Sequence, residues 1–481
     1  MEATAYQAAL KIPTQIVDIV LSSAIVSCFI PVFNEIMQKK GKEEANSFAG
    51  NFINIVGVIA TFISIIGIIF APYIVKAFTQ FSDETYGLTV ELVRITFPMI
   101  IFTALAFSFV GFLQSYGEFN IPAFISGLSN LVVIGFLLFF NSSTGIKGVC
   151  ICVVCAWAVQ LLVQLPSAIK NGYRLKLSVD FKDENIKKVF KLALPILFST
   201  AVLPINNLVS MRFASGIGDQ YYSALEYAYK IYVIFYGIFS YAIGNIIFPE
   251  LSRSISDNDE EGYVSTIKKS IKLIAFLLIP LTLGIVVFNQ DIIRLAYERG
   301  QFTAESTLLT SGALLFYAIG IIGAGMVEIL NKAFYAKQDI FKPLVVGLGV
   351  IVANLILCYV LSQTSLSYQG IALATACASF INMFVLSLLI RKEHKGIFTK
   401  DIFVYISKIL ISAIIMGAVI LGLNYLLDSF TGSFINNLIR VAIAGGAGIV
   451  IYFLITYIFK CNQFLDKEGR EIGKEEEKII N

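Results

Sequence analysis

Two lysines stand where a lysine is costly. Lys11 lies one turn into the first long apolar stretch, two residues before Pro13, and Lys230 lies two to three turns into another. An ionisable group at mid-bilayer costs at least ~2.5–3.5 kcal/mol, so such groups face a cavity or a partner. Each has an acid nearby along its helix: Asp18 is seven residues after Lys11, and Glu226 four before Lys230. Two explanations stand side by side. As cations offered to a cavity, the lysines suit an anionic ligand, and a diphosphate fits because an ammonium group binds phosphate as a point charge. As local features, Glu226 neutralises Lys230 at i,i+4 and Lys11 snorkels outward. Asp18 is either a partner of Lys11 or a proton carrier. The Lys230 helix is crowded with Tyr221, Tyr222, Tyr227, Tyr229, Tyr232, Tyr236 and Tyr241. Tyr227 is the tyrosine assigned to the ligand, and about half the set is expected to pack or to sit at the interface.

Other chemistries find no residues to carry them. A single His excludes His-based metal sites and triads that need two. Cys150, Cys152 and Cys155 lie in an apolar helix without a nearby His or acid, which makes them packing residues. No phosphate-cradling Gly-rich loop and no catalytic acid pair is present, so the chain reads as a transporter rather than an enzyme. Glu91 with Arg94 and Glu328 with Lys332 are expected to form local ion pairs near span ends, and His394 to be solvated in a basic loop.

The positioning elements follow from composition. Of 481 residues 57% are apolar and 14% charged, against roughly a quarter charged in soluble domains. A helix crossing ~30 Å of hydrocarbon needs about 20 apolar residues. Thirteen segments qualify: 5–33, 51–75, 88–114, 121–140, 146–169, 189–213, 221–249, 270–288, 304–331, 343–361, 368–390, 402–427 and 434–459. The fold class is therefore an all-α polytopic membrane protein. Of the 36 Lys and Arg, 27 fall in alternate linkers and the tail, and only six in the opposite set. The positive-inside rule assigns the 27, with the C-terminus, to the cytoplasm. An odd span count then puts Met1 outside, and a first helix absent from this chain is expected.

An internal repeat organises the spans. ALKI around Lys11 and FIPVFNE ending at Glu35 match AYKI around Lys230 and IFPELS ending at Ser252. QSYGEFNIP at 114–122 matches YAKQDIFKP at 335–343, and the three offsets are 219, 218 and 221. Consistent offsets mark two pseudo-symmetric transporter halves, here of parallel orientation. The expected domains are an N-lobe at 1–170 with five helices, a C-lobe at 186–391 with six, two additional transmembrane helices at 402–460, and a cytoplasmic tail at 461–481.

The stretches KIP (11–13), FIPVFNEI (29–36), LTVELVRITFPMI (88–100), FNIPAF (119–124), YERGQFTAES (297–306) and FYAKQDIFKP (334–343) resemble, in order, the MurJ/MviN lipid II flippases of the MOP superfamily. The resemblance runs from about residue 2 to 460. It implies MOP-type lobes, the bacterial cytoplasmic membrane, and a role in peptidoglycan and cell wall biogenesis. It also implies a polyprenyl-diphosphate-linked lipid as substrate, with membrane lipids and other cell-wall synthesis proteins as partners, no nucleic acid and no cofactor. Lys230 takes the place of a cavity arginine. Thr4, Val17 and Asp18 stand where the family carries an acid and two arginines. For the family's sodium site the resemblance leaves Asn354 and Thr375, with Ser210 and Cys358 at the acidic positions. Membrane potential and sodium are both open as coupling forces. The expected activity is alternating-access flipping of lipid II, its diphosphate on the cavity lysines. A flippase for another polyprenyl-diphosphate-linked oligosaccharide and a non-transporting scaffold are the alternatives.

Overall fold

The computed structural model describes residues 1–20, 22–174, 179–427 and 434–461. Lys176 and the predicted tail beyond Cys461 lie outside the described residues. All regular structure among the described residues is α-helical, in eighteen helices. The chain divides into two compact units, Met1–Ser223 and Ala224–Asn481.

The first unit holds α1 (Glu2–Val20), α2 (Ser22–Lys40), α3 (Lys42–Ile69), α4 (Ala71–Phe78) and α5 (Asp83–Thr96), followed by α6 (Met99–Ser115), α7 (Asn120–Phe139), α8 (Asn141–Lys170), α9 (Glu184–Thr200), α10 (Val202–Ile217) and the start of α11 (Asp219–Ser256). Its best-packed region joins Phe29 and Phe33 of α2 to Phe48 and Phe52 of α3 and to Phe112 and Tyr116 at the end of α6, with ring centroids 5.0–6.3 Å apart. Phe29, Phe33 and Phe112 are wholly buried.

The second unit holds the rest of α11, α12 (Glu260–Val287), α13 (Asn289–Tyr297), α14 (Ala304–Ala336), α15 (Phe341–Ser362), α16 (Tyr368–Glu393), α17 (Lys400–Leu426) and α18 (Phe434–Ile458). Within it α14 and α16 approach closely, because a Cβ at Gly320 would come 2.9 Å from the α-carbon of Ala376. Small residues permit such approach in membranes, where lipid is as apolar as leucine and packing must supply the attraction. α17 and α18 close against α12 around Phe276, Ile409, Met416 and Tyr452.

The repeat is visible in the backbone. α3 and α12 are both 28 residues long, start 218 apart, and end on Phe70 and Phe288 with nearly the same dihedrals. The turn after α6 bonds Glu118 N to Leu113 O and Gly117 N to Gln114 O; the turn after α14 bonds Asp339 N to Phe334 O and Gln338 N to Tyr335 O. Gly117 and Gln338 both have positive φ. Each turn then holds the end of a later helix. Glu118 accepts from Ser167 and from Asn171 at 2.9 Å at the end of α8. Lys337 and Lys342 reach Glu393 at 2.7 and 2.5 Å at the end of α16. The same geometry is kept with different chemistry.

Eleven helices among the described residues are long and apolar enough to cross a membrane. Of the two remaining predicted segments, 5–33 runs over α1 and α2 on either side of residue 21, which lies outside the described residues, and 189–213 falls on α9 and α10. α9 and α10 are short, at 17 and 16 residues, and α1 is polar along one face.

Candidate functional site

The polar face of α1 carries Thr4, Gln7, Lys11, Gln15 and Asp18, at helical spacing. Proline shapes it. Pro13 has no N–H, which frees the carbonyl four residues back, at Ala9. Thr96 Oγ1 of α5 donates to Ala9 O at 2.7 Å. The break caused by one residue thus becomes the contact that seats α1 against α5, half a turn from Lys11. Lys11 is part-buried. Asp18 Oδ2 accepts from Gln15 Nε2 at 3.5 Å, and Gln15 Oε1 accepts from Asn207 Nδ2 of α10 at 3.0 Å. Asp18 therefore belongs to a chain of amides running from α1 to α10.

In the second unit Lys230 is exposed, and its Nζ lies 5.5 Å from the centroid of the Tyr227 ring, in cation–π range. Tyr227 is fixed by Tyr297 at 4.8 Å and by Phe302 at 5.3 Å. Tyr229, Tyr232, Tyr236 and Tyr317 stack in a second group, with centroids 5.0–5.6 Å apart. The tyrosines thus divide: Tyr222 and Tyr232 are core, Tyr241 is exposed, and Tyr227 backs the lysine. The ring face attracts the ammonium through its quadrupole and fixes where the charge sits.

The sodium candidates show a donor set of little charge. Asn354 is buried, and its Oδ1 lies 3.8 Å from Cys358 Sγ. The Thr375 hydroxyl donates to Ile371 O at 3.1 Å. No group of three or more His, Cys, Asp or Glu that could hold a metal occurs among the described residues. A hard cation asks for several oxygens and a carboxylate. These residues offer neutral oxygens and a thiol rather than a carboxylate.

Several local expectations change. Glu91 pairs with Lys147 at 2.5 Å rather than with Arg94, because α5 and α8 pack side by side there. His394 is not solvated: its side chain is 9% exposed, with Nδ1 3.0 Å from Glu260 and Nε2 3.0 Å from Lys337. Three cytoplasm-assigned helix ends converge on it. Glu328 and Lys332 do pair, at 3.7 Å. Unforeseen was the buried pair of Asp291 with Arg440, which ties α13 to α18. So was the bond from Tyr452 of α18 to Phe276 O, 2.6 Å, the carbonyl freed by Pro280. The prolines and the intramembrane Tyr were visible signals, but which hydroxyl meets which carbonyl depends on the fold.

At the cytoplasm-assigned end of α2, Glu35 bonds Lys188 of α9 at 2.5 Å and Lys39 at 2.9 Å. These two ammonium groups hold its carboxyl down to about 2.

Long apolar helices whose lengths, ends and turns repeat along the chain are the architecture of a multi-pass membrane transporter. A multidrug resistance MATE family transporter of the MOP superfamily, in an inward-facing conformation, superposes with a TM-score of 0.72 at 13% identity over 82% of this chain and 94% of that one. The family model for lipid II flippase MurJ matches residues 1–440, and the chain belongs to that family. The probable lipid II flippase MurJ of Rickettsia prowazekii (strain Madrid E) is 28% identical over 460 residues, 94% of this chain and 90% of the relative. The lipid II flippase MurJ of Burkholderia cenocepacia is 25% identical over 398 residues, covering 81% and 77%. A solved structure of lipid II flippase MurJ in an inward closed conformation has a TM-score of 0.80 and 27% identity, covering 97% and 94%. The protein is accordingly a multi-pass membrane transporter and not an enzyme.

Proposed function

We propose that this chain flips lipid II, the undecaprenyl-diphosphate-linked peptidoglycan precursor, across the cytoplasmic membrane by alternating access. The reading is carried by the pair of lysines, Lys11 and Lys230, at matching places in the sequence repeat of a MurJ-family chain. Lys11 and Lys230 bind the diphosphate during transport, Tyr227 orients Lys230, and Asp18 and Glu226 set the local charge. The linkers rich in Lys and Arg and the C-terminus face the cytoplasm. The lobes follow the sequence repeat, 1–170 and 186–391, with 402–460 as the two additional helices.

The membrane potential supplies directionality. A cationic empty cavity is drawn back toward a negative cytoplasm by roughly 2.3 kcal/mol per charge per 100 mV. Flipping that continues unchanged after the potential is collapsed removes this part of the proposal.

Rescue of bacteria depleted of their own lipid II flippase tests the function. Growth restored by this chain and lost on Lys230→Ala, at equal membrane abundance, is the expected result. No rescue, with the protein present in the membrane, turns the reading toward another polyprenyl-diphosphate-linked substrate or a scaffold.

A further inference from the structure

Among the candidate spans of the described residues α7 is the least buried; in the first unit it packs on α8 and touches α6. Its packed face is complete. Ile125 and Ser129 are buried, and Ser129 Oγ accepts from Gln160 Nε2 of α8 at 2.8 Å. The other face is different. Ala123, Gly127, Asn130, Ile134 and Leu137 are all exposed, and they follow one another at intervals of four, three, four and three. That spacing draws one seam along a helix, of the kind by which two helices pack side by side. Phe124, Leu131 and Leu138 beside the seam are 64–74% exposed, a surface suited to hydrocarbon rather than to water.

Two residues of the seam do not suit lipid. Asn130 stands at the middle of the 20-residue helix. Its carboxamide makes no hydrogen bond among the described residues. The bilayer core holds no water to satisfy it, so an amide at that depth calls for another helix. Gly127 lies one turn away. A Cβ built there would meet nothing within 4 Å, so no neighbour inside the chain requires a glycine, and glycine weakens a helix interior. Small residues at Ala123 and Gly127 do let a second backbone come close. The repeat shows that the fold itself asks for neither feature. The offset of 221 sets Leu344, Leu348, Ile351 and Leu355 of α15 at the places of Ala123, Gly127, Asn130 and Ile134, and all four are large and apolar.

We propose that this face of α7 is the interface at which two copies of the chain associate in the membrane. All copies insert in the same direction. A two-fold axis along the membrane normal therefore brings each α7 beside its equivalent, parallel and at the same depth. A residue close to such an axis meets its own copy. Asn130 suits that place, because a carboxamide both donates and accepts and two of them satisfy one another. Ala123 and Gly127 let the helices close, and a lone Asn in an apolar seam fixes their register. Another membrane protein would need a hydrogen-bonding group at that same depth, whereas a second copy brings one by symmetry. The pairing is read without lipid movement, so it stands or falls apart from the flippase reading.

Cross-linking in native membranes gives the first test. In the full chain with its seven natural cysteines replaced, Asn130→Cys should form a covalent dimer on oxidation. Leu128→Cys, at nearly the same depth on the opposite flank of α7, should give at least tenfold less. Equal yields at the two positions, as random collision would produce, overturn the proposal, and so does a dimer at neither. A product that joins Asn130→Cys only to a different protein also overturns it. The second reading is the share of paired molecules in phospholipid vesicles, counted by stepwise photobleaching of singly labelled protein. Pairing should rise with protein density. Asn130→Leu and Gly127→Ile should each need at least tenfold more protein per lipid to reach the same pairing, with Asn130→Gln close to the parent. Both substituted positions are exposed and Gly127 has open space around it, so neither change disturbs the interior. Single molecules at every density, or pairing indifferent to both Asn130→Leu and Gly127→Ile, overturn the interface.

Discussion

At the scale of the residue, the account turns on charge and on orphaned carbonyls. Lys230 holds its ammonium group beside the Tyr227 ring. A hydrogen bond to a charged group contributes ~1.5–3 kcal/mol, so Lys230→Ala should slow lipid movement about 10- to 100-fold. Lys230→Arg should retain most of it, measured as initial rate in vesicles at matched protein content. Thr96 and Tyr452 each occupy a carbonyl released by a proline. Thr96→Val or Tyr452→Phe leaves that carbonyl unpaired away from water, which costs about 1–3 kcal/mol, read as a lower unfolding midpoint in detergent. The two lysines were legible in the sequence because a charge in an apolar run is conspicuous. The carbonyl partners were not: Thr96 is 87 residues from Ala9 and Tyr452 is 176 from Phe276. No local pattern spans such separations.

At the scale of the element, helix ends and helix crossings decide what holds. The Asp291–Arg440 pair is buried where α13 meets α18. Removing one partner strands the other's charge, so Asp291→Ala is expected to destabilise by about 3–5 kcal/mol, while replacing both with apolar residues of similar volume should cost much less. Thermal unfolding of the three proteins distinguishes a stranded charge from lost packing. The Glu35–Lys188 pair behaves differently, being exposed and screened by salt. Its carboxyl is held down to about 2 from an ordinary 4.5, so the link is complete above pH 4.5 and is lost only as pH falls toward 2. Carboxyl infrared or NMR signals of Glu35 should show no protonation at about pH 4. Lys188→Ala should move the titration up toward the ordinary range, and an unmoved titration would deny the contact. Apolar length located nearly every element. The segment 189–213 falls on two short helices, α9 and α10, and 5–33 runs over α1 and α2 on either side of residue 21, which lies outside the described residues.

At the scale of the molecule, repetition is the organising fact. Short matches at offsets of 218 to 221 were enough to read two halves, and the backbone repeats them down to the turns after α6 and α14. The repeat conserves geometry more than chemistry. Glu118 is met by Ser167 and Asn171 in one turn, whereas lysines meet Glu393 in the other. That is why sequence alone paired the turns but misplaced His394, whose burial comes from helix ends meeting in space. The same holds for transport. The family assigns lipid II to relatives of this chain, and the lysines supply a physical reason for a diphosphate.

The most direct measurement is the movement of labelled lipid II across vesicles containing the purified protein, with Lys230→Ala alongside. The account predicts movement well above protein-free vesicles, falling about 10- to 100-fold in the variant and suppressed by excess unlabelled polyprenyl-diphosphate lipid. Movement at the protein-free rate, or movement indifferent to Lys230→Ala, would contradict it.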